Sequence, residues 1–259
     1  MPPRPETVEV DFVAPRHLAG GGGPAWITVP LHRACGWSHG HDPLMPRVLL
    51  SSPDQKALLR LEPDLDGQWW TLHHAAEPDR PAWYASFGAR TPVELIAAFT
   101  DALTHPATAA TAPADPYGPL QQTAWSPAAG DNGFVSPDKT AYVQRPGGAQ
   151  DPGAWFVTVT LGPNRPVWQA RFGEHTPLHL VAAFTSALAD PNPLLRTDSQ
   201  RSLPTLDPAL VTCQTTGVPA VHVASALEER VRSLTDRRAA PPASPSPPRR
   251  PSAKSHRSR

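Results

Sequence analysis

The sequence predicts an α+β fold of two tandem ββββα repeats, and three recurrences carry that prediction. The stretch Thr91 to Leu103 returns as Thr176 to Leu188, with Thr-Pro, Leu, Ala-Ala-Phe-Thr and Ala-Leu in register. The turn Ser52-Pro53-Asp54 returns as Ser136-Pro137-Asp138. The strand Trp83-x-Ala85-x-Phe87 returns as Trp168-x-Ala170-x-Phe172. Each repeat is read as an antiparallel meander whose apolar face is covered by its C-terminal helix. A further helix and a disordered tail follow the second repeat.

In chain order, residues 7–13 alternate apolar and polar, the period of a strand. Gly20 to Gly23 lack the Lys-Ser/Thr of a phosphate-binding loop and read as a flexible turn. Trp26 to Val29 read as a short strand ended by Pro30, and Leu31 to Gly36 as one helical turn. In the first repeat, strands are expected at Val48–Ser51, Ala57–Leu61, Trp69–His74 and Ala82–Phe87. Ser52-Pro53-Asp54 supplies turn chemistry, because Pro presets φ and the polar side chains bond nearby backbone N–H groups. In the helix, Thr91 is read as N-cap, Pro92 as N1 and Glu94 as N3, a capping box. His179 stands in the place of Glu94 in the second copy, which predicts a firmer N-terminus for the first helix.

The domain reading is 7–105 for the first strands and first repeat, 106–118 for an Ala/Pro/Thr linker, and 119–190 for the second repeat. It continues with 191–218 as irregular, 219–236 as an amphipathic helix and 237–259 as a disordered basic tail. Leu120 to Ser126 echo Leu31 to Ser38, with Trp125 in the place of Trp37.

The two copies also separate the faces of each strand. Trp83, Ala85 and Phe87 match Trp168, Ala170 and Phe172, whereas Tyr84 and Ser86 stand against Gln169 and Arg171. Alternate residues share a face, so the first set is core and the second is solvent. Trp70 and Leu72 match Trp155 and Val157, so they join the core. Trp69 matches Ala154 and falls on the other face.

Proline is abundant, 35 residues against the roughly 5% of ordinary chains, so turns, loops and tail take a large share. The formal net charge is zero, but residues 237–259 carry seven Lys/Arg and no carboxylate, which leaves residues 1–236 at −7. An acidic body argues against a broad duplex-binding surface. Two cysteines, Cys35 and Cys213, make no disulfide framework. The N-terminus lacks the apolar run of a signal peptide, and no segment nears the ~18 apolar residues of a membrane span. The expectation is a cytoplasmic protein with no membrane contact.

The Ser-Pro-Asp turn, the Pro-x-Trp-x-Ala-x-Phe strands (Pro81 to Phe87, Pro166 to Phe172) and the Thr-Pro…Ala-Ala-Phe-Thr-x-Ala-Leu helices resemble the SPDY domain. That is a domain of unknown function, often in tandem, in actinomycete proteins. Pro15 to Gly21 and Leu31 to Ser38 look like its usual lead-in. The turn continues with Gln55 and Lys139, so the fourth letter of the family name is kept in neither copy. The resemblance implies a cytoplasmic bacterial protein and assigns no catalytic residue and no cofactor.

Serine-hydrolase, P-loop, dinucleotide-binding and HExxH signatures are absent. His32, Cys35, His39, His41 and Asp42 cluster within eleven residues, and Cys-x3-His-x-His offers ligand types that suit zinc. The second copy has Gln121 and Ala124 there and no histidine. The six tryptophans shared by the copies (Trp37, Trp70, Trp83, Trp125, Trp155, Trp168) read as core. Trp69 and Tyr84 lack aromatic counterparts and read as ligand contacts, with Arg249 and Arg250 in the tail. The leading function is therefore a non-enzymatic binding or scaffold protein that engages a protein partner. Single-stranded nucleic-acid binding through exposed aromatics and the tail is one alternative. Metal or cysteine chemistry in the His32–Asp42 loop is the other.

Overall fold

The computed structural model describes residues 6–40, 47–62, 68–105, 115–129, 133–148, 151–197 and 203–239. The chain opens with β1 (Thr7–Ala14) and then α1 (Ala25–Arg33). Next come β2 (Ser38–Gly40), β3 (Val48–Ser51), β4 (Ala57–Leu61), β5 (Gln68–His74), β6 (Trp83–Gly88) and α2 (Val93–Thr104). The second repeat begins with α3 (Gly118–Gln121), β7 (Ser126–Pro127), β8 (Gly133–Val135) and β9 (Ala141–Gln144). A small hairpin of β10 (Gly147–Gly148) and β11 (Asp151–Pro152) interrupts it. It closes with β12 (Trp155–Thr160), β13 (Pro166–Phe172) and α4 (Leu178–Ala189). Then follow β14 (Leu194–Arg196), β15 (Thr212–Pro219) and α5 (Ala220–Ala239).

The α+β class with two repeats is what forms, but each repeat gives five strands to the main sheet, not four. The extra ones, β2 and β7, start at Ser38 and Ser126, where the two copies echo each other. The ten strands make one antiparallel sheet in the order β2-β3-β4-β5-β6-β13-β12-β9-β8-β7. Its centre is the pairing of β6 with β13, in which Ala85 opposes Phe172, Ser86 opposes Arg171 and Phe87 opposes Ala170. Ser86 thus opposes its own counterpart Arg171, and Ala85 and Phe87 oppose each other's counterparts, the signature of a local twofold axis. The repeats also join through α2 and α4, which lie side by side over the covered face.

That face is the core. All six shared tryptophans are buried. At the axis, Phe87 of β6, Phe99 of α2, Phe172 of β13 and Phe184 of α4 are fully buried, with ring centroids 5.2–5.8 Å apart.

The Ser-Pro-Asp turn repeats in detail. Ser52 Oγ donates to the Asp54 carboxylate and accepts from Ala57 N–H at 2.9 Å, and Ser136 does the same with Asp138 and Ala141. Gln55 and Lys139 both sit at φ 60°.

Four expectations are corrected. Trp26 to Val29 lie in the helix α1, not in a strand. Ile27, Pro30 and Leu31 fall on one turn-spaced face and are buried, and this burial overrides the β preference of the branched residues. Pro30 has no N–H for the Trp26 carbonyl one turn back. Arg230 of α5 takes that role: its Nε donates to Trp26 O at 2.9 Å, its guanidinium lies 5.3 Å from the Trp26 ring, and it grips Asp101 at 2.8 and 3.1 Å.

The capping box does not form. Pro92 is extended (φ −55°, ψ 127°) and occupies the N-cap position, with no side-chain cap. Thr91 Oγ1 is buried without a partner. Glu94 turns instead to Arg196, with contacts of 2.6 and 2.9 Å, because a charge-assisted bidentate pair outweighs one neutral cap. The orphan Val93 N–H is met by Gly21 O at 2.8 Å. The glycine run is therefore fitted over the start of α2. Gly22 has φ 78°, and a Cβ there would stand 2.8 Å from Val93 Cγ2.

Residues 191–218 are not irregular throughout. β14 and β15 flank β1 in a second antiparallel sheet. β15 is exposed over most of its length and pairs with β1 at eight positions, so backbone pairing makes this strand and no apolar pattern announces it. Finally, α5 runs on through Arg237 and Arg238, and Arg238 donates to Cys35 O at 2.9 Å. The rest of the tail, 240–259, and most of the linker, 106–114, lie outside the described residues. Among the described residues no helix is long and apolar enough to cross a membrane.

Candidate functional site: the open face of the sheet

Helices cover one face of the ten-stranded sheet. Its other face carries the alternate residues of every strand. One row crosses it as Leu49, Arg60, Thr71, Ser86, Arg171, Phe156 and Gln144, by register. A second row holds Leu58, His73 and Tyr84. Trp69 stands at the bulge of β5 and is 43% exposed.

Planar groups form a ladder on this face. His73 stacks beside Tyr84 with centroids 6.3 Å apart and planes at 29°. The Arg171 guanidinium lies 5.4 Å from the Tyr84 ring and 5.6 Å from the Phe156 ring. The ladder thus runs β5–β6–β13–β12 and crosses the joint between repeats. Gly173 makes room for it, because a Cβ there would stand 3.0 Å from two Tyr84 ring carbons. A cleft of about 480 Å³, lined by Lys56, Leu58, His73, Trp83 and Tyr84, opens at its first-repeat end.

The ladder is not repeated. In the other copy Trp69, His73, Tyr84, Phe156 and Arg171 are Ala154, Thr158, Gln169, Thr71 and Ser86. Trp69 and Tyr84, singled out from sequence, do share this face. His73, Phe156 and Arg171 join them there, and comparison of the copies at solvent positions marks the same three as unshared. Arg249 and Arg250 lie outside the described residues.

Charge adds a further feature. No strand of this sheet contains an Asp or Glu, whereas residues 1–236 are acidic overall. Glu62, just past β4, is shared by Arg47 at 3.1 Å and Arg60 at 2.7 Å. Arg171 meets no carboxylate among the described residues.

Other clusters are spent on structure. His17 is buried, its Nε2 3.0 Å from Asp138 Oδ2 and 2.8 Å from Thr140 Oγ1. Burial alone would raise the Asp138 carboxyl. The hydrogen bond and charge of His17 and the hydroxyls of Ser136 and Thr140 outweigh it and hold the group well below the usual carboxylate range. A folded-state pKa below the unfolded value gives stability that is present above about pH 4 and lost as pH falls through the folded value. Urea midpoints are thus expected to drop from pH 5 to pH 2, and Asp138→Asn to flatten that drop. An unchanged slope in the variant would refute this role.

A depression of about 840 Å³ between α2 and α4 is floored by alanines and rimmed by Arg16–Asp190, Arg196–Glu94 and Arg230–Asp101 or their members. Its charges are paired with one another. In the His32–Asp42 loop, Cys35 is buried and His32 Nδ1 is 2.8 Å from Trp37 O. No group of three metal-ligating side chains forms among the described residues, and His41 and Asp42 lie outside them.

The model of the SPDY family, a domain of unknown function (DUF317), matches the chain twice, at residues 51–109 and 135–194. Each match runs from the Ser-Pro-Asp turn through the repeat's helix. No curated protein and no solved structure matches the chain.

Proposed function

The chain is a tandem SPDY-domain protein, and from its two joined repeats we propose a non-enzymatic binding protein whose contact surface is the open sheet face. One observation carries this reading. Five residues on which the copies differ (Trp69, His73, Tyr84, Phe156, Arg171) gather on the sheet face that no described helix covers, whereas the shared residues build the core. Packing explains the shared set and leaves the ladder without a structural purpose. Buried Cys35 and the backbone-bound His32 weigh against chemistry in their loop.

The test is a photo-crosslinking amino acid placed at Trp69 or, as a control, at Val221, which is 65% exposed on α5. In the cells that make the protein, adducts of protein or nucleic acid are expected at position 69 and not at 221. Equal yields at the two positions, or none at 69, would refute the reading.

A further inference from the structure

We infer that the open face takes single-stranded nucleic acid, with bases stacked along the ladder and phosphates held by its arginines. This rests on the binding reading above and names the partner of that same surface.

Three features point to this ligand. The first is the alternation of planar groups. Neighbouring strands lie about 4.8 Å apart, so His73, Tyr84, Arg171 and Phe156 set planar groups at the spacing of successive strands. Aromatic rings and guanidinium planes both accept any base, because every base has a π face. Trp69 adds an exposed ring beside them.

The second is charge. The strands of this face carry Arg60 and Arg171 and no carboxylate, although residues 1–236 sum to −7. Arg171 stands between two rings and meets no carboxylate among the described residues.

The third is what the sheet lacks for a peptide. Strand addition needs an open edge, but β2 and β7 are three and two residues long. A duplex is poorly suited as well, because its bases are already stacked and cannot reach the rings.

Fluorescence anisotropy of labelled 20-nucleotide single strands, DNA and RNA, against the matching duplex tests this with the full chain at low salt. Single strands are expected to bind more tightly than duplex. Tyr84→Gln, Phe156→Thr and Arg171→Ser import the residues of the other copy, which the sheet already tolerates at equivalent positions. Each is expected to weaken single-strand binding by roughly 5- to 100-fold, with an unchanged circular-dichroism spectrum. Changing Arg249, Arg250, Lys254, Arg257 and Arg259 to Gln separates the tail from the face. The preference for single strands should survive that change.

No binding at low salt, equal binding of duplex, or binding that needs only the tail would each overturn the inference. If crosslinks at Trp69 are to protein alone, the binding reading stands and this one fails.

Discussion

Phe172→Ala is expected to cost about 3–5 kcal/mol of stability, the range for a fully buried phenylalanine, and to do so without separating the repeats. Phe172 packs on Phe87 and Phe99 of the first repeat at 5.8 and 5.4 Å, nearly as close as on Phe184 of its own at 5.2 Å. The cavity therefore opens in a core that belongs to both. Urea unfolding followed by circular dichroism and by tryptophan fluorescence should give coincident transitions in wild type and variant. The eight tryptophans are spread over both halves, so fluorescence would reveal either repeat unfolding first. Two separated transitions, or a loss below about 1 kcal/mol, would show that the repeats have independent cores.

Arg196→Met is the second large effect, about 3–5 kcal/mol, the cost of removing one partner from a buried pair. Arg196 is 6% exposed. Besides Glu94 it holds the carbonyls of Ala19 at 2.8 Å, Gly20 at 3.2 Å and Leu195 at 2.8 Å. The variant leaves a carboxylate and three acceptors short of their donor. The double variant Glu94→Leu with Arg196→Met should lose clearly less than the sum of the two single variants, because no lone charge remains. Chemical unfolding of all four proteins measures this cycle, and strict additivity would refute the pairing. Glu94→Ala is accordingly expected to cost more than His179→Ala, through a residue on β14 and not through a cap.

What could be read from the sequence follows from range. Internal repetition exposed the strand faces and the buried helix positions, because residues kept in two copies of one fold are kept for packing. Thr91, Pro92 and Glu94 matched a local capping pattern, yet the deciding partner lay a hundred residues away in an unremarkable Leu-Leu-Arg. Trp26 to Val29 failed for a similar reason. Pro30 inside a helix is tolerable only once Arg230 supplies the missing donor to Trp26 O. β15 has no apolar alternation to read, since β1 defines it. At the open face, Trp69 and Tyr84 stood out as unmatched aromatics. His73, Phe156 and Arg171 each pass singly for ordinary solvent-side residues; comparison of the copies marks them as unshared, and the β6–β13 pairing brings them into line.

That pairing has one more consequence. Two separate identical chains joined along β13 would be bound by symmetry, so any change on the exposed side would appear twice and Arg171 would face another arginine across the axis. Joining the halves in one polypeptide lifts that obligation. Ser86 can stay small opposite Arg171, and Thr71 and Thr158 can stay small where the other half carries Phe156 and His73. The interior keeps its twofold economy of four phenylalanines, while the exterior acquires a direction, with His73 and Tyr84 on one half and Arg171 and Phe156 on the other. A surface with direction can hold a polar, head-to-tail ligand in a single orientation.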